Sequence, residues 1–154
     1  MISLNVGDKA PDFVALNEFG QSTSLSNFLG KKVILYFYPK DMTPGCTAES
    51  CNLSENYNLL QEKGFVVLGV SPDSPNSHQK FIDKYNLPFS LIADEDKAVI
   101  NAFGVWGPKK FMGKEYDGVH RMTFIIDEDG VIEKVFSKVK TKDHANQILE
   151  FYNQ

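Results

Sequence analysis

Two periods of apolar residues run through this chain, and the places where one gives way to the other mark its elements. Val33 to Tyr38 is an unbroken apolar run between Gly30-Lys31-Lys32 and Pro39, the texture of a strand buried on both faces, and Phe65 to Val70 repeats it. Between them Cys46, Ser50, Leu53, Tyr57 and Leu60 fall at helical spacing, which predicts a helix from a Thr43 cap to about Lys63, stopped by Gly64. Strand, helix, strand is a crossover unit, so the two strands should be parallel. A helix from about Asn76 to Tyr85 follows the breaker-rich Ser71-Pro72-Asp73-Ser74-Pro75, then a short strand over Phe89 to Ala93 and a short helix over Lys97 to Phe103. Gly104 to Gly118 reads as a long basic loop, with glycines at Gly104, Gly107, Gly113 and Gly118 and lysines at Lys109, Lys110 and Lys114. Val119 to Ile126 and Val131 to Phe136, hinged at Asp127-Glu128-Asp129-Gly130, form an antiparallel hairpin before a last helix from about Thr141 to Tyr152. At the other end, Asp12 to Leu16 and Gln21 to Leu25 form a hairpin around Asn17-Glu18-Phe19-Gly20.

No repeat, low-complexity tract or linker interrupts this series, and 154 residues suit one domain, 1–154, that buries roughly 70% of its unfolded surface. A net charge of −4, from 20 acidic against 16 basic side chains, argues against nucleic acid as a partner. Asp94 to Lys97 and similar charge runs are solvated faces and helix starts. Met1 to Asp8 lacks the apolar centre of a leader and no stretch has the length of a membrane span, so a soluble, cytoplasmic protein with reduced thiols is expected.

Both cysteines follow the first buried strand, in Pro39-x-x-x-Thr43-x-x-Cys46 continued by Cys46-Thr47-x-Glu49-x-Cys51. With Thr43 as cap and Pro44 in the first helical position, Cys46 falls in the first turn, where unpartnered N–H groups favour a negative sulfur. On a continuous helix the Cα atoms of Cys46 and Cys51 stand about 8.7 Å apart and about 140° around the axis. A disulfide tolerates no more than about 7 Å, so the pair closes only if the helix start unwinds, which suits a catalytic or regulatory bond. Two small buried hydrophobes would be the ordinary reading of two cysteines in a reduced compartment. Two cysteines at this spacing without a nearby histidine do not complete a tetrahedral metal set, and no metal or organic cofactor is called for.

This motif, together with Gly7-Asp8-Lys9-Ala10-Pro11-Asp12-Phe13, Gly104-Val105-Trp106-Gly107 and Arg121-Met122-Thr123-Phe124-Ile125-Ile126-Asp127, resembles the peroxiredoxins of the Q type, the bacterioferritin comigratory proteins. The likeness spans most of the chain. Thr47 stands where other peroxiredoxin classes carry proline, which is itself the habit of the Q type. The element order, with the reactive cysteine after the first core strand, is that of an α/β thioredoxin-like fold: a central mixed sheet flanked by helices, with an N-terminal hairpin.

Arg121 is the single arginine among 16 basic residues, and a planar fork of donors is what lysine cannot imitate. A surface arginine is the default, but its place on a β-rich strand, where Arg121, Thr123 and Ile125 alternate with Met122, Phe124 and Ile126, and its match to the family's active-site arginine favour function. A helix terminus supplies about 0.3 to 1 kcal/mol, whereas each unit of thiol pKa needs about 1.4 kcal/mol. A cation must add the rest, Arg121 before Lys40. Glu49, one turn beyond Cys46, could hold the fork by a bidentate bond or be an ordinary first-turn carboxylate. Thr43 offers a hydroxyl near the sulfur, and Pro39 shields it without an N–H. His78, His120 and His144 form no evident catalytic set. Trp106 and Phe111 are read as anchors of the long loop.

These residues predict a thiol-dependent peroxidase. Cys46 attacks hydrogen peroxide or an alkyl hydroperoxide and becomes a sulfenic acid, which Cys51 resolves as an intramolecular disulfide. The resemblance implies recycling by thioredoxin or a similar dithiol protein, and a monomer. A thioredoxin-like disulfide reductase is the redox alternative, though that class favours Cys-x-x-Cys and a cis-proline before the facing strand. A redox-switched binding protein is the alternative outside catalysis.

Overall fold

The structure, a computed structural model, describes residues 4–153; Met1–Ser3, at the head of the stretch read as lacking a leader, and Gln154 lie outside the described residues. Nine strands and five α-helices follow in order: β1 (Val14–Leu16), β2 (Ser22–Ser24), a 3-10 turn (Leu25–Phe28), β3 (Lys32–Phe37), α1 (Pro44–Glu55), α2 (Tyr57–Glu62), β4 (Phe65–Ser71), α3 (Pro75–Tyr85), β5 (Ser90–Ala93), α4 (Ala98–Ala102), β6 (Trp106–Phe111), β7 (Lys114–Val119), β8 (Met122–Ile126), β9 (Ile132–Phe136) and α5 (His144–Tyr152).

Seven strands form one mixed sheet in the order β2-β1-β5-β4-β3-β8-β9. The crossovers β3 to β4 and β4 to β5 are parallel, as the strand-helix-strand pattern requires, while β8 runs antiparallel to β3 and β9 to β8. The N-terminal hairpin joins the sheet through one pairing of Leu16 with Ala93.

Alternation along β3 sends its side chains into two separate cores. Val33, Leu35 and Phe37 join α4 and the β8 residues Phe124 and Ile126 on one face, whereas Ile34, Tyr36 and Tyr38 pack under Cys46, Leu53, Phe81 and Ile148 from α1, α3 and α5 on the other. The reactive helix thus lies on the second face. Gly69 on β4 makes that possible, because a Cβ there would stand 2.6 Å from Leu91 and 2.8 Å from the Tyr36 ring. The Tyr36 ring so seated bonds through its hydroxyl to Ser50 Oγ of α1 at 2.9 Å.

Four expectations change. The helix predicted to run to Lys63 is two helices, broken at Asn56, whose side chain donates to the Asn52 carbonyl at 2.9 Å and competes with the helical backbone bond. Gly104 to Gly118 is largely a two-stranded ribbon, β6 paired with β7 from Trp106↔Val119 to Phe111↔Lys114. Met112 and Gly113 turn it with φ of +52° and +79°, the left-handed pair that two-residue hairpins use. Val119 therefore ends β7, and β8 begins only at Met122, which leaves His120 and Arg121 in the bend between the two strands. Trp106 does pack against the core, with Lys97 Nζ 5.0 Å from its ring centre, but Phe111 is 65% exposed and anchors nothing.

Candidate active site

Cys46 sits in the first turn of α1, with Pro44 opening the helix and Thr43 in the capping position. Thr43 does not cap with its side chain: its hydroxyl donates to the Lys40 carbonyl at 2.8 Å, closing the loop from Pro39 on itself. That leaves the oxygen lone pairs of Thr43 uncommitted to the helix and Thr43 half-buried beside the site. Pro39 is likewise half-buried.

Arg121, in the bend before β8, reaches across to α1 and divides its fork. Nη2 donates to Cys46 Sγ at 3.2 Å and Nη1 to Glu49 Oε1 at 2.8 Å. The bidentate Arg121–Glu49 bond expected from the sequence is absent because the second arm holds the sulfur. Burial works against the Arg121 charge, but the Cys46 sulfur and the Glu49 carboxylate together raise its pKa above the ordinary guanidinium value.

Cys46 is 1% exposed, and Thr43, Gly45 and Arg121 around it are half-buried. Glu49 is fully buried, and burial lifts its carboxyl to about 7 against the opposing pull of Arg121. Its second oxygen has no hydrogen-bond partner among the described residues and faces His144 Nε2 at 3.7 Å. That nitrogen also meets Thr123 Oγ1 at 2.8 Å, while Nδ1 meets Gln147 Oε1 at 2.8 Å. Burial lowers His144 to about 4, so the ring is neutral at ordinary pH: Nδ1–H donates to Gln147 and Nε2 accepts from Thr123.

Sequence reasoning missed this second layer. Thr123 was legible as alternating in phase with Arg121, but His144 belongs to a helix twenty residues downstream with no motif of its own. The cation that joins Arg121 is also different. Lys40 is exposed, whereas Lys109 of β6 is half-buried with its Nζ donating to the Val119 carbonyl at 2.9 Å. Burial and Arg121 lower the Lys109 ammonium, and Cys46 raises it, so all three groups share one electrostatic neighbourhood.

Cys51 lies one and a half turns along α1, half-buried, its thiol raised by burial and by Glu55. Both cysteines are free, and α1 runs unbroken through them, the reduced and folded arrangement. His120 has its Nε2 buried without a hydrogen-bond partner among the described residues. No helix of the described residues is long and apolar enough to cross a membrane.

Residues 6–135 match the AhpC/TSA family. A putative peroxiredoxin bcp of Haemophilus influenzae is 50% identical over 151 residues, covering 98% of this chain and 97% of that protein. The crystal structure of a Xylella fastidiosa PrxQ mutant superposes with a TM-score of 0.91 at 29% identity, covering 99% of this chain and 98% of that one. A Xanthomonas campestris bacterioferritin comigratory protein, solved in trapped-intermediate and ligand complexes bearing on its alkyl peroxide reduction, gives a TM-score of 0.85 at 34% identity, over 92% of this chain and 90% of that one. With a family match across most of its residues and half of them identical to a peroxiredoxin of the same length, the chain belongs to the AhpC/TSA family, among the Bcp, or Q-type, peroxiredoxins.

Proposed function

We propose that this peroxiredoxin reduces hydrogen peroxide and alkyl hydroperoxides with Cys46 as nucleophile and Cys51 as resolving thiol, within a single domain, 1–154. The observation that carries the reading is the divided Arg121 fork, one arm 3.2 Å from Cys46 Sγ and the other on buried Glu49. The guanidinium donates to the sulfur that attacks, and the first turn of α1 adds its unpartnered N–H groups.

The thiolate attacks one peroxide oxygen, the O–O bond breaks, and the departing oxygen leaves as water or alcohol after taking up a proton. Arg121 and the helix start stabilise charge on that oxygen as it develops. Thr43 Oγ1, which already donates to Lys40, can accept the peroxide O–H and hold the oxygen that carries it toward the sulfur, so that the other oxygen is the one that leaves. Pro39 covers the site without adding a competing donor. Glu49 acts through Arg121, fixing the plane of the fork.

Cys46 sulfenic acid and Cys51 then form a disulfide after the helix start opens, and a thioredoxin-like dithiol protein returns both to thiols. The alkyl peroxide reduction of the Xanthomonas relative supports organic peroxides as substrates alongside hydrogen peroxide. We place the protein in the cytoplasm as a monomer.

Stopped-flow mixing of reduced protein with peroxide, followed by intact mass, tests the scheme. A fast phase and then a product lighter by two hydrogens is expected, with Cys46→Ser silent in both. Peroxide consumption by Cys46→Ser at the wild-type rate would refute it.

A further inference from the structure

Cys46 and Cys51 can join only if the helix between them opens, and two sets of side chains outside the reacting groups bracket that stretch. On the N-terminal side, the buried Asp41 carboxylate accepts from Tyr38 Oη at 2.6 Å, Ser77 Oγ at 2.8 Å and His78 Nδ1 at 2.7 Å. Its backbone N–H donates to Asp73 at 2.8 Å, and His78 Nε2 lies 2.9 Å from the Ile92 carbonyl oxygen. Asp41, Asp73 and His78 have ligand atoms within 4.8 Å of one another, but these hydrogen bonds already engage them, so the cluster reads as a fastening. It ties the loop after β3 to α3 and β5.

On the C-terminal side, Asn52 bridges two helices. Its Oδ1 accepts from the Ala145 N–H at 2.8 Å and its Nδ2 donates to the Lys142 carbonyl at 3.1 Å, at the start of α5. Leu53, the next residue, is fully buried. From Asn52 onward α1 is therefore held to α5, and Cys51 is the last residue before the hold.

Between the fastenings, the reacting sulfur is itself one of the ties. Cys46 and Glu49 hang on Arg121 and Ser50 on Tyr36. Oxidation of the thiolate to a neutral sulfenic acid removes the charge from the first of these bonds. Met42, directly after Asp41, already has φ of +67°, a backbone state that a non-glycine residue leaves readily.

We propose that Asp41 with His78, and Asn52, are positioning residues for disulfide formation that confine opening to residues 42–51. Cys46 then travels to a Cys51 that stays at the edge of the standing half of α1. The inference rests on the assignment of attacker and resolver above. In the step itself the Cys51 sulfur attacks the Cys46 sulfenic sulfur, S–S forms, S–O breaks, and the released hydroxide leaves as water with the proton of the Cys51 thiol.

Hydrogen exchange read by mass spectrometry on reduced and peroxide-oxidised protein, with intact mass on the same samples, tests this. Oxidised wild type should lose protection within 42–51 and keep it over 53–56. Asn52→Ala should oxidise Cys46 at the wild-type rate and match wild type in exchange when reduced, yet once oxidised lose protection over 53–56 by about tenfold, the loss of two hydrogen bonds. His78→Leu should spread opening toward residue 38. A product lighter by two hydrogens whose wild-type exchange already spreads over 53–56, or an Asn52→Ala pattern identical to wild type, overturns the inference and leaves the cysteine assignment standing. Failure to lose two hydrogens overturns both.

Discussion

Gly45 leaves the space that the Arg121 guanidinium occupies: a Cβ at Gly45 would stand 3.2 Å from Nη2, the nitrogen that holds the Cys46 sulfur, and 3.8 Å from Cζ. Gly45 lies in the first turn of α1, and it is not among the glycines with positive φ. Alanine there is compatible with the helix and should favour it by up to about 1 kcal/mol. Gly45→Ala therefore separates stability from chemistry. The melting temperature should hold or rise while the first oxidation slows about tenfold, the effect of a fork displaced by a few tenths of an ångström at a charge-assisted bond. An unchanged stopped-flow rate would show that the contact of Nη2 with the sulfur is dispensable.

Arg121→Lys asks whether charge or shape matters. A lysine keeps the charge but cannot hold a sulfur and a carboxylate 2.8 to 3.2 Å from two nitrogens of one rigid plane. The fold should survive, since Arg121 lies in a bend and is half-buried. Attack on peroxide should slow about ten- to hundredfold, measured as the second-order rate of the first phase. A rate within twofold of wild type would reduce the role of Arg121 to that of a point charge.

The Glu49 carboxyl, lifted by burial to about 7 from an ordinary 4.5 despite Arg121, makes stability depend on pH. A group whose folded value exceeds its unfolded one binds protons more tightly in the fold. Its contribution is complete below about pH 4.5 and fades as pH rises through about 7. Denaturation of wild type and Glu49→Gln across that window should show wild type losing stability relative to the variant, by on the order of 1 kcal/mol or more. Parallel profiles would mean that the carboxylate stays ionised beside Arg121 throughout.

Much of this site could be read from the chain because its chemistry is local. Thr43, Cys46, Glu49 and Cys51 lie within nine residues of one another, and helix geometry alone relates them. Arg121 was legible by its uniqueness. What escaped depends on distance in sequence: His144 meets Thr123 and Glu49 only because α5 packs on α1, and Asp41 meets His78 only because α3 returns over the first crossover.

The fold shows the same division. Buried strands β3, β4 and β8 announce themselves by apolar runs, but β6 and β7 are exposed along most of their length and carry no alternation. Their Met112-Gly113 turn lacks the asparagine that usually signals such hairpins, so glycine and lysine content there read as a loop. The break at Asn56 was equally hidden, because an asparagine inside a helical stripe weakens the helix only if its side chain finds a carbonyl.

The second half of the cycle should carry its own pH signature, set by Cys51 and Glu55. Burial and then the carboxylate of Glu55, four residues on, raise the Cys51 thiol, so little of it is thiolate at neutral pH. The resolving phase should therefore quicken with pH into the alkaline range, and Cys51→Ser should stop after one rapid oxidation with a sulfenic acid that can be trapped. Glu55→Gln removes a like-charge neighbour at helical spacing, which is worth about 0.2 to 0.5 kcal/mol. The gain in thiolate is partly offset by lower nucleophilicity. The resolving rate near neutral pH should rise by up to about twofold, while the first oxidation, governed by Cys46 and Arg121, stays as it was. If Glu55→Gln altered the first phase and left the second unchanged, Cys51 would not be the thiol whose ionisation limits resolution.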